Sequence, residues 1–308
     1  MPEYPDVTLY VEALRLRLAA ARLERMHVLH PFLLRTTDPP QAAFDLRAVE
    51  SVRRIGKQIA IGFEGSLFMV IHLMIAGRLQ WVDAGERGVR VSLRLPRRIA
   101  LASFEFSSGI LHFTEAGTKK RASLHLVRGE EGLAAFDRGG LELMEASPAE
   151  FRATILRENH TLKRSLTDPR LFAGVGNAYS DEILHHARLS PFKQSSQLTT
   201  EESERLLASC RTVLLDWAER LRREAHGQFP AKVGAFHREM AVHGKYGQPC
   251  PACGTPVQRI VYAENECNYC PTCQTEGRLL ADRSLSRLLK GDWPRTIEEL
   301  EAMKLSHG

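Results

Sequence analysis

No apolar run in the sequence approaches the ~18–20 residues that a membrane-spanning helix needs. No secretory signal opens it either: Pro2, Glu3 and Asp6 stand where such a signal places basic and then apolar residues. Charge bias is slight, with 42 Lys and Arg against 37 Asp and Glu, a net +5. That excess suits a polyanion-binding protein but does not by itself specify one. Nucleotide signatures are missing as well. The Gly-rich turn Gly174-Val175-Gly176-Asn177 lacks the GK[ST] of a Walker loop and the spacing of a dinucleotide fingerprint, and no strand precedes it. There is no internal repeat and no low-complexity stretch. Membrane, secreted and fibrous classes are thereby set aside. What remains is a chain of 308 residues, 44% of them hydrophobic, which is enough for a sizeable core and about two domains.

Cysteine is scarce over most of the chain and then concentrated. Only Cys210 lies outside a 24-residue stretch that holds Cys250, Cys253, Cys267, Cys270 and Cys273. A disulfide framework would spread its cysteines and would need an oxidising compartment. Cys250-x2-Cys253 and Cys270-x2-Cys273, with sixteen residues between the pairs, instead form two knuckles. Each knuckle aims two thiolates at one ion, and together they complete a tetrahedral four-cysteine zinc site. Four thiolates leave no open position for a catalytic water, so the expected cofactor is one structural Zn2+. Cys267 is out of register and reads as a bystander. Cys210 reads as a core residue.

Hydrophobic periodicity gives the organisation. Val7, Tyr10, Val11, Leu14 and Leu18 recur at helical spacing over 5–20. From about 25 to 127 the pattern changes to short β-type runs, among them 58–63, 67–73, 89–95, 100–106 and 111–113. Many short strands at close spacing predict a β-sandwich or a barrel-like domain. Residues 128–147 are rich in Gly and Glu and read as a linker. Helices are expected over 148–158, 162–167, 178–187 and 200–223, the last opening at Thr199 or Thr200 with Glu in its first turn. The tail 274–308 carries six basic and six acidic side chains and reads as short helices. His72, His185 and His186 are expected to pack rather than to bind metal, because no ligand partner falls at the right spacing.

Two local features carry more than one reading. Pro2 can simply open the first helix, with Asp6 complementing its dipole. Alternatively, removal of Met1 would expose a secondary amine. An α-amino group has a pKa of about 7.7–8.0, so part of it is neutral near pH 7 and can attack an electrophilic carbon, with Glu3 moving protons. The Gly174–Asn177 turn opens onto a helix, and its backbone N–H groups make an anion site. Asn177 could cap that helix or bind a phosphate.

MPEYPDV at the start, RIGKQ at 54–58, GVGNAYSDEILHHARLSP at 174–191 and the paired knuckles occur here in one order. Together they resemble the formamidopyrimidine-DNA glycosylase / endonuclease VIII family over about residues 1–273. The resemblance implies an α+β multidomain protein: an N-terminal β-sandwich with a leading helix, a helix–two-turns–helix domain and a C-terminal zinc-ribbon finger. The expected boundaries are 1–130 for the catalytic sandwich, 131–147 for a linker, 148–240 for the helical domain, 241–276 for the finger and 277–308 for an extension. It also implies a monomeric bacterial enzyme, cytoplasmic and nucleoid-associated, that binds damaged DNA between its two halves. Such an enzyme removes the base and nicks the strand by β,δ-elimination.

By resemblance, Pro2 is the nucleophile at C1′ and Glu3 the acid that protonates the sugar ring oxygen. Lys57 holds a phosphate beside the lesion, and Gly176 and Asn177 grip the same backbone. Three positions depart from the family pattern. Asn265 stands where the finger usually carries an arginine at phosphate, and Asn brings no charge. Ile75 stands at the wedge methionine that fills the gap left by an everted base, and either Ile75 or the shifted Met74 could fill that gap. Thr114–Arg121 lacks the usual Arg and Phe, and its basic residues read equally as phosphate contacts or as a solvated turn. These departures keep open a catalytically weakened lesion- or structure-specific DNA-binding protein of the same fold. An adaptor unrelated to DNA is the further alternative. The near-neutral extension is expected to pack on the finger.

Overall fold

A computed structural model describes residues 1–84, 96, 98–230, 234, 237–262, 265–281 and 294–306. The run expected as a strand over 89–95 lies outside the described residues. The chain forms two compact units, Met1–Gly139 with Leu215–Ala235, and Gly140–Leu214 with Phe236–Gly308.

In the first unit, helix α1 (Tyr4–Leu18) precedes eight strands among the described residues. These are β1 (Leu23–Val28), β2 (Val49–Ile55), β3 (Gln58–Phe63), β4 (Leu67–His72), β5 (Gly77–Asp83), β6 (Ala100–Phe106), β7 (Gly109–Glu115) and β8 (Ser123–Arg128). They make two four-stranded antiparallel sheets, ordered β1-β6-β7-β5 and β2-β3-β4-β8. The expected β-sandwich is therefore present. Inward residues of both sheets, including Ile59, Ile61, Phe63, Met69, Ile71, Phe104 and Phe113, share one core with Val7, Tyr10, Leu14 and Leu18 of α1.

Strands β3 and β4 are buried along nearly their whole length. The cause is helix α2 (Gly129–Ala134), whose Leu133 packs with Ala60, Phe68 and Val70 in a second, smaller cluster. Part of the segment expected as a linker over 131–147 is thus packed: its first residues cover a sheet, and in the second unit Leu143 and Ala146 are buried. Of the helical domain expected over 148–240, residues 215–235 group by compactness with the first unit. Phe229 lies 5.7 Å from the Tyr10 ring and 6.4 Å from the Trp81 ring, and Arg222 pairs with Glu12 at 2.8 Å.

The second unit holds α3 (Pro148–Leu156), α4 (Leu162–Thr167), α5 (Asn177–His186) and the hairpin β9 (Gln258–Tyr262) with β10 (Asn265–Tyr269). The division between units falls within the long helix α6 (Thr200–Ala225), whose opening turn has Thr199 and Glu202 capping each other. Short α7 (Pro271–Thr275) and α8 (Ile297–Ser306) close the chain. The extension meets the finger where the Leu280 N–H donates to the Tyr269 hydroxyl at 2.8 Å. Among the described residues, no helix is long and apolar enough to cross a membrane.

If α2 is a structural cover, Leu133→Ala should lower chemical-denaturation stability by about 2–5 kcal/mol, as for other buried leucines. A urea titration in which the variant matches the parent would return this segment to linker status.

Candidate active site and metal centre

The amino end is built into the sandwich. The apolar face of α1 is buried, and its first turn goes in with it, so Pro2, Glu3 and Asp6 are all buried. Glu3 is the N-cap residue, and its N–H donates to Asp6 Oδ2 at 2.8 Å. Asp6 Oδ1 has no hydrogen-bond partner among the described residues. Burial, joined by the nearby Glu3 charge, raises the Asp6 pKa to about 7 against the hydrogen bond that opposes it. The amine of Met1 shifts the other way. Burial lowers its pKa, and the charges of Arg78 and Lys57 push in the same direction against Glu3 and Asp6.

Lys57 sits in the tight turn between β2 and β3, where Gly56 takes a φ of 56° and its carbonyl accepts from Arg54 Nη1 at 2.9 Å. His72 closes β4 opposite Gln58. Burial, then the Lys57 charge, brings its pKa down to about 4, so the imidazole is neutral at neutral pH.

Met74-Ile75-Ala76 forms the turn between β4 and β5. Its backbone is tight: Met74 has a φ of 52°, and the Gly77 N–H donates to the Leu73 carbonyl at 2.8 Å. A Cβ at Gly77 would lie 2.3 Å from that carbonyl oxygen, so only glycine fits. Arg78 Nη1 ties the turn down through the carbonyls of Gly77 at 2.7 Å and Ile75 at 3.3 Å. Ile75 is 53% exposed, whereas Met74 is half-buried, so Ile75 is the apolar side chain this turn presents. In the 114–121 loop the buried Glu115 carboxylate accepts the N–H of Arg121 and Ala122 at 3.0 and 3.2 Å. Lys120 spends its ammonium on the Arg98 carbonyl at 2.9 Å, while Lys119 and Arg121 remain exposed.

In the second unit the turn residue Gly174 has a φ of 83°, and Gly176 is the N-cap of α5. Asn177 is thus the first helical residue, half-buried, and its side chain does not cap the helix. That removes the simpler of its two readings. Asp181 and Glu182, one turn further on, are buried and hydrogen-bonded to His243 and to the backbone of 241–243. Asn265 pairs with Tyr262 across the hairpin, but its side chain lies outside the described part.

Cys250, Cys253, Cys270 and Cys273 converge, with all four sulfurs within 4.8 Å of one another. Cys250 and Cys273 are 3.9 Å apart, and Cys253 and Cys270 are 3.4 Å apart. Tetrahedral zinc with bonds of about 2.3 Å puts its sulfurs roughly 3.7 Å apart, so the cluster fits that ion. The first knuckle closes through Cys250 N–H to the Thr255 carbonyl and Gly254 N–H to the Cys250 carbonyl. His185 Nε2 lies 3.2 Å from Cys250 Sγ, as a neighbour of a ligand rather than a fifth member of the cluster. Cys267 is buried and outside the ligand set, as its register predicts.

Pro2, Glu3, Lys57 and Ile75 therefore belong to the first unit, and Gly176, Asn177 and the four cysteines to the second. Sequence reasoning missed Arg78 near the amine, and Lys163, Asp181, Glu182 and His243 behind the turn. The Asp181-Glu182 pair inside a buried helix was the one available signal, since paired acids rarely go inside without partners. The raised Asp6 pKa has a consequence for stability. Between about pH 4 and pH 7 the folded protein keeps a proton that the unfolded chain has lost. The contribution is full below the ordinary carboxylate value and is lost as pH rises through about 7. Urea midpoints should therefore fall between pH 5 and pH 8 more steeply in the parent than in Asp6→Asn; equal slopes would show that Asp6 ionises normally.

Three family models match in order: the formamidopyrimidine-DNA glycosylase N-terminal domain at residues 1–122, the H2TH domain of that glycosylase at 142–223, and a zinc finger found in FPG and IleRS at 247–275. The formamidopyrimidine-DNA glycosylase of Thermus thermophilus is 35% identical over 283 residues, covering 90% of this chain and 100% of the relative. That of Symbiobacterium thermophilum is 31% identical, covering 97% and 98%. The crystal structure of the MutM (FPG) protein from Thermus thermophilus superposes with a TM-score of 0.73 at 31% identity, covering 89% of this chain and 98% of that one. The Lactococcus lactis FPG in complex with a FAPY-dG-containing DNA shares the fold at a TM-score of 0.75 and 23% identity, covering 89% and 100%. With its domains, its finger and its relatives in agreement over nearly all its length, the chain belongs to the formamidopyrimidine-DNA glycosylase family.

Proposed function

We propose that the protein is a DNA glycosylase of base excision repair that also cleaves the strand at the resulting abasic site. The observation that carries this reading is the buried amino end, where Pro2, Glu3 and Asp6 lie together at the start of α1 and the Glu3 N–H is held by Asp6. Removal of Met1 makes the Pro2 nitrogen the terminal amine. Its lone pair forms a bond to C1′ of the damaged nucleotide as the bond from C1′ to the base breaks, and the proton shed by the nitrogen leaves with the base. Glu3 delivers a proton to the ring oxygen, the sugar opens and the C1′–N bond becomes an iminium. Loss of a C2′ proton then expels the 3′ phosphate, and a second elimination expels the 5′ phosphate. Hydrolysis of the iminium returns the amine.

Eversion of the damaged nucleotide costs a few kcal/mol, which firm phosphate contacts help to offset. Lys57 on the first unit and Asn177 with Gly176 on the second are the groups we assign to those phosphates. Ile75 takes the place of the everted base, an apolar side chain on a turn that Arg78 and Gly77 hold rigid. The zinc gives the finger its fold and takes no part in the chemistry. Asn265 supplies a hydrogen bond to DNA without a charge.

Borohydride reduction on abasic-site DNA should give a covalent adduct with the parent, and Pro2→Gly should lower its yield sharply. Glu3→Gln should still bind that DNA while base release falls by about two orders of magnitude or more, as for loss of a general acid. An enzyme with a processed N-terminus that gives no adduct would leave only the DNA-binding protein of this fold. Extraction of zinc should unfold the finger and raise the Kd for DNA. Unchanged affinity after verified metal loss would remove the finger from the DNA grip.

A further inference from the structure

Behind the Gly174–Asn177 turn lies a chain of buried polar groups that the proposed chemistry does not use. Lys163 of α4 is 4% exposed. Its Nζ donates to the carbonyl oxygen of Asn177 at 2.6 Å and to Asp181 Oδ1 at 2.6 Å. The other oxygen of Asp181, Oδ2, lies 2.8 Å from Nδ1 of His243. A carboxylate only accepts, so that ring nitrogen carries the hydrogen. Asp181 takes a further donor from the finger hairpin, the thiol of Cys267, whose pKa is pushed up by burial. One turn of α5 thus collects donors from α4, from the lead into the finger and from the finger's own strand β10.

The lead segment is itself clamped on two sides. Glu182 accepts the N–H groups of Ala241, Val242 and His243 at 2.8, 2.9 and 2.9 Å. Val242 packs in one cluster with Cys250, Val257 and Cys270, two of which are zinc ligands. The segment that carries His243 is thus held by α5 on one side and packed into the small core of the finger on the other. The hydrogen bond of His243 to Asp181 orients the carboxylate, the carboxylate orients the Lys163 ammonium, and the ammonium holds the Asn177 peptide.

We propose that His243 is a positioning residue for DNA binding: through Asp181 and Lys163 it holds the Asn177 peptide, which sets the angle at which the Asn177 side chain meets a backbone phosphate, so the folded finger governs that grip. The inference rests on the reading of Asn177 as a phosphate contact. It distinguishes His243 from a residue that merely adds stability, because its effect must pass through Asn177.

A double-mutant cycle on the zinc-loaded full-length protein tests this, with Kd for an abasic-site duplex read by fluorescence anisotropy. His243→Leu should weaken binding about tenfold in the parent and less than about twofold in an Asn177→Ala background, a coupling of ordinary size for contacting networks. His243→Asn, which keeps a donor near Nδ1, should restore affinity to within about twofold of the parent. Zinc content and melting midpoint are measured on every variant. Should His243→Leu fail to fold, Asp181→Asn enters the same cycle with the same expectation. Equal losses in the two backgrounds, or no loss in the parent, would overturn the relay while leaving the Asn177 contact intact. If Asn177→Ala alone leaves the Kd unchanged, the phosphate reading falls and the relay falls with it.

Discussion

A chain terminus is ordinarily the least ordered part of a fold, yet Pro2, Glu3 and Asp6 of this protein are buried, and the rest of the first unit is arranged around that burial. Val7, Tyr10, Leu14 and Leu18 sink α1 into the core between two sheets, which fixes the residues before them. Tyr10 serves this twice, with its ring in the core and its hydroxyl accepting the N–H of Leu79 at 3.3 Å. Leu79 follows directly on Gly77 and Arg78, so the turn that presents Ile75 and the helix that presents the amine are tied through one buried side chain. The returning segment adds to the same anchor, with Phe229 against Tyr10 and Arg222 on Glu12.

The second unit meets a different constraint. Its hairpin of ten paired residues has only a small core of its own, made of Val242, Val257 and two cysteines with their neighbours. Such a module needs metal to fold and a partner surface to stand on. Helix α5 supplies that surface with Asp181, Glu182 and His185, one polar face turned inward and filled by donors of the finger. Gln274 adds a link from the second knuckle to the Leu189 carbonyl at 3.0 Å. These contacts explain why polar residues sit at positions of α5 where a helix of this burial would normally be apolar.

Legibility in the sequence follows contact range. The zinc ligands, the α4 limits at Leu162 and Thr167 and the strands over 58–63 and 100–106 are local patterns, and they stand where spacing puts them. Pro2 and Glu3 are ordinary residues whose meaning came from their company with RIGKQ and the glycine turn, not from their own chemistry. What escaped was non-local. Lys163 meets Asp181 across 18 positions and His243 meets it across 62, and no periodicity marks such pairs. Helix α2 escaped for the opposite reason: six residues with two glycines carry too little helical signal, and only Leu133 against the back of β3 and β4 makes the helix worth forming. Phe229 lies 219 residues beyond Tyr10, so its return to the sandwich could not be read from composition.

Burial also decides the protonation at the amino end. Removing water penalises the charged form of every group. For the terminal amine this lowers the pKa, and for Asp6 it raises it, so the two shifts are one effect acting on groups of opposite sign. An exposed pair would settle as ammonium and carboxylate, which attract and which leave no lone pair to attack carbon. In the dry site the neutral form of the Met1 amine gains through burial, with the charges of Glu3 and Asp6 opposing the shift and those of Arg78 and Lys57 adding to it.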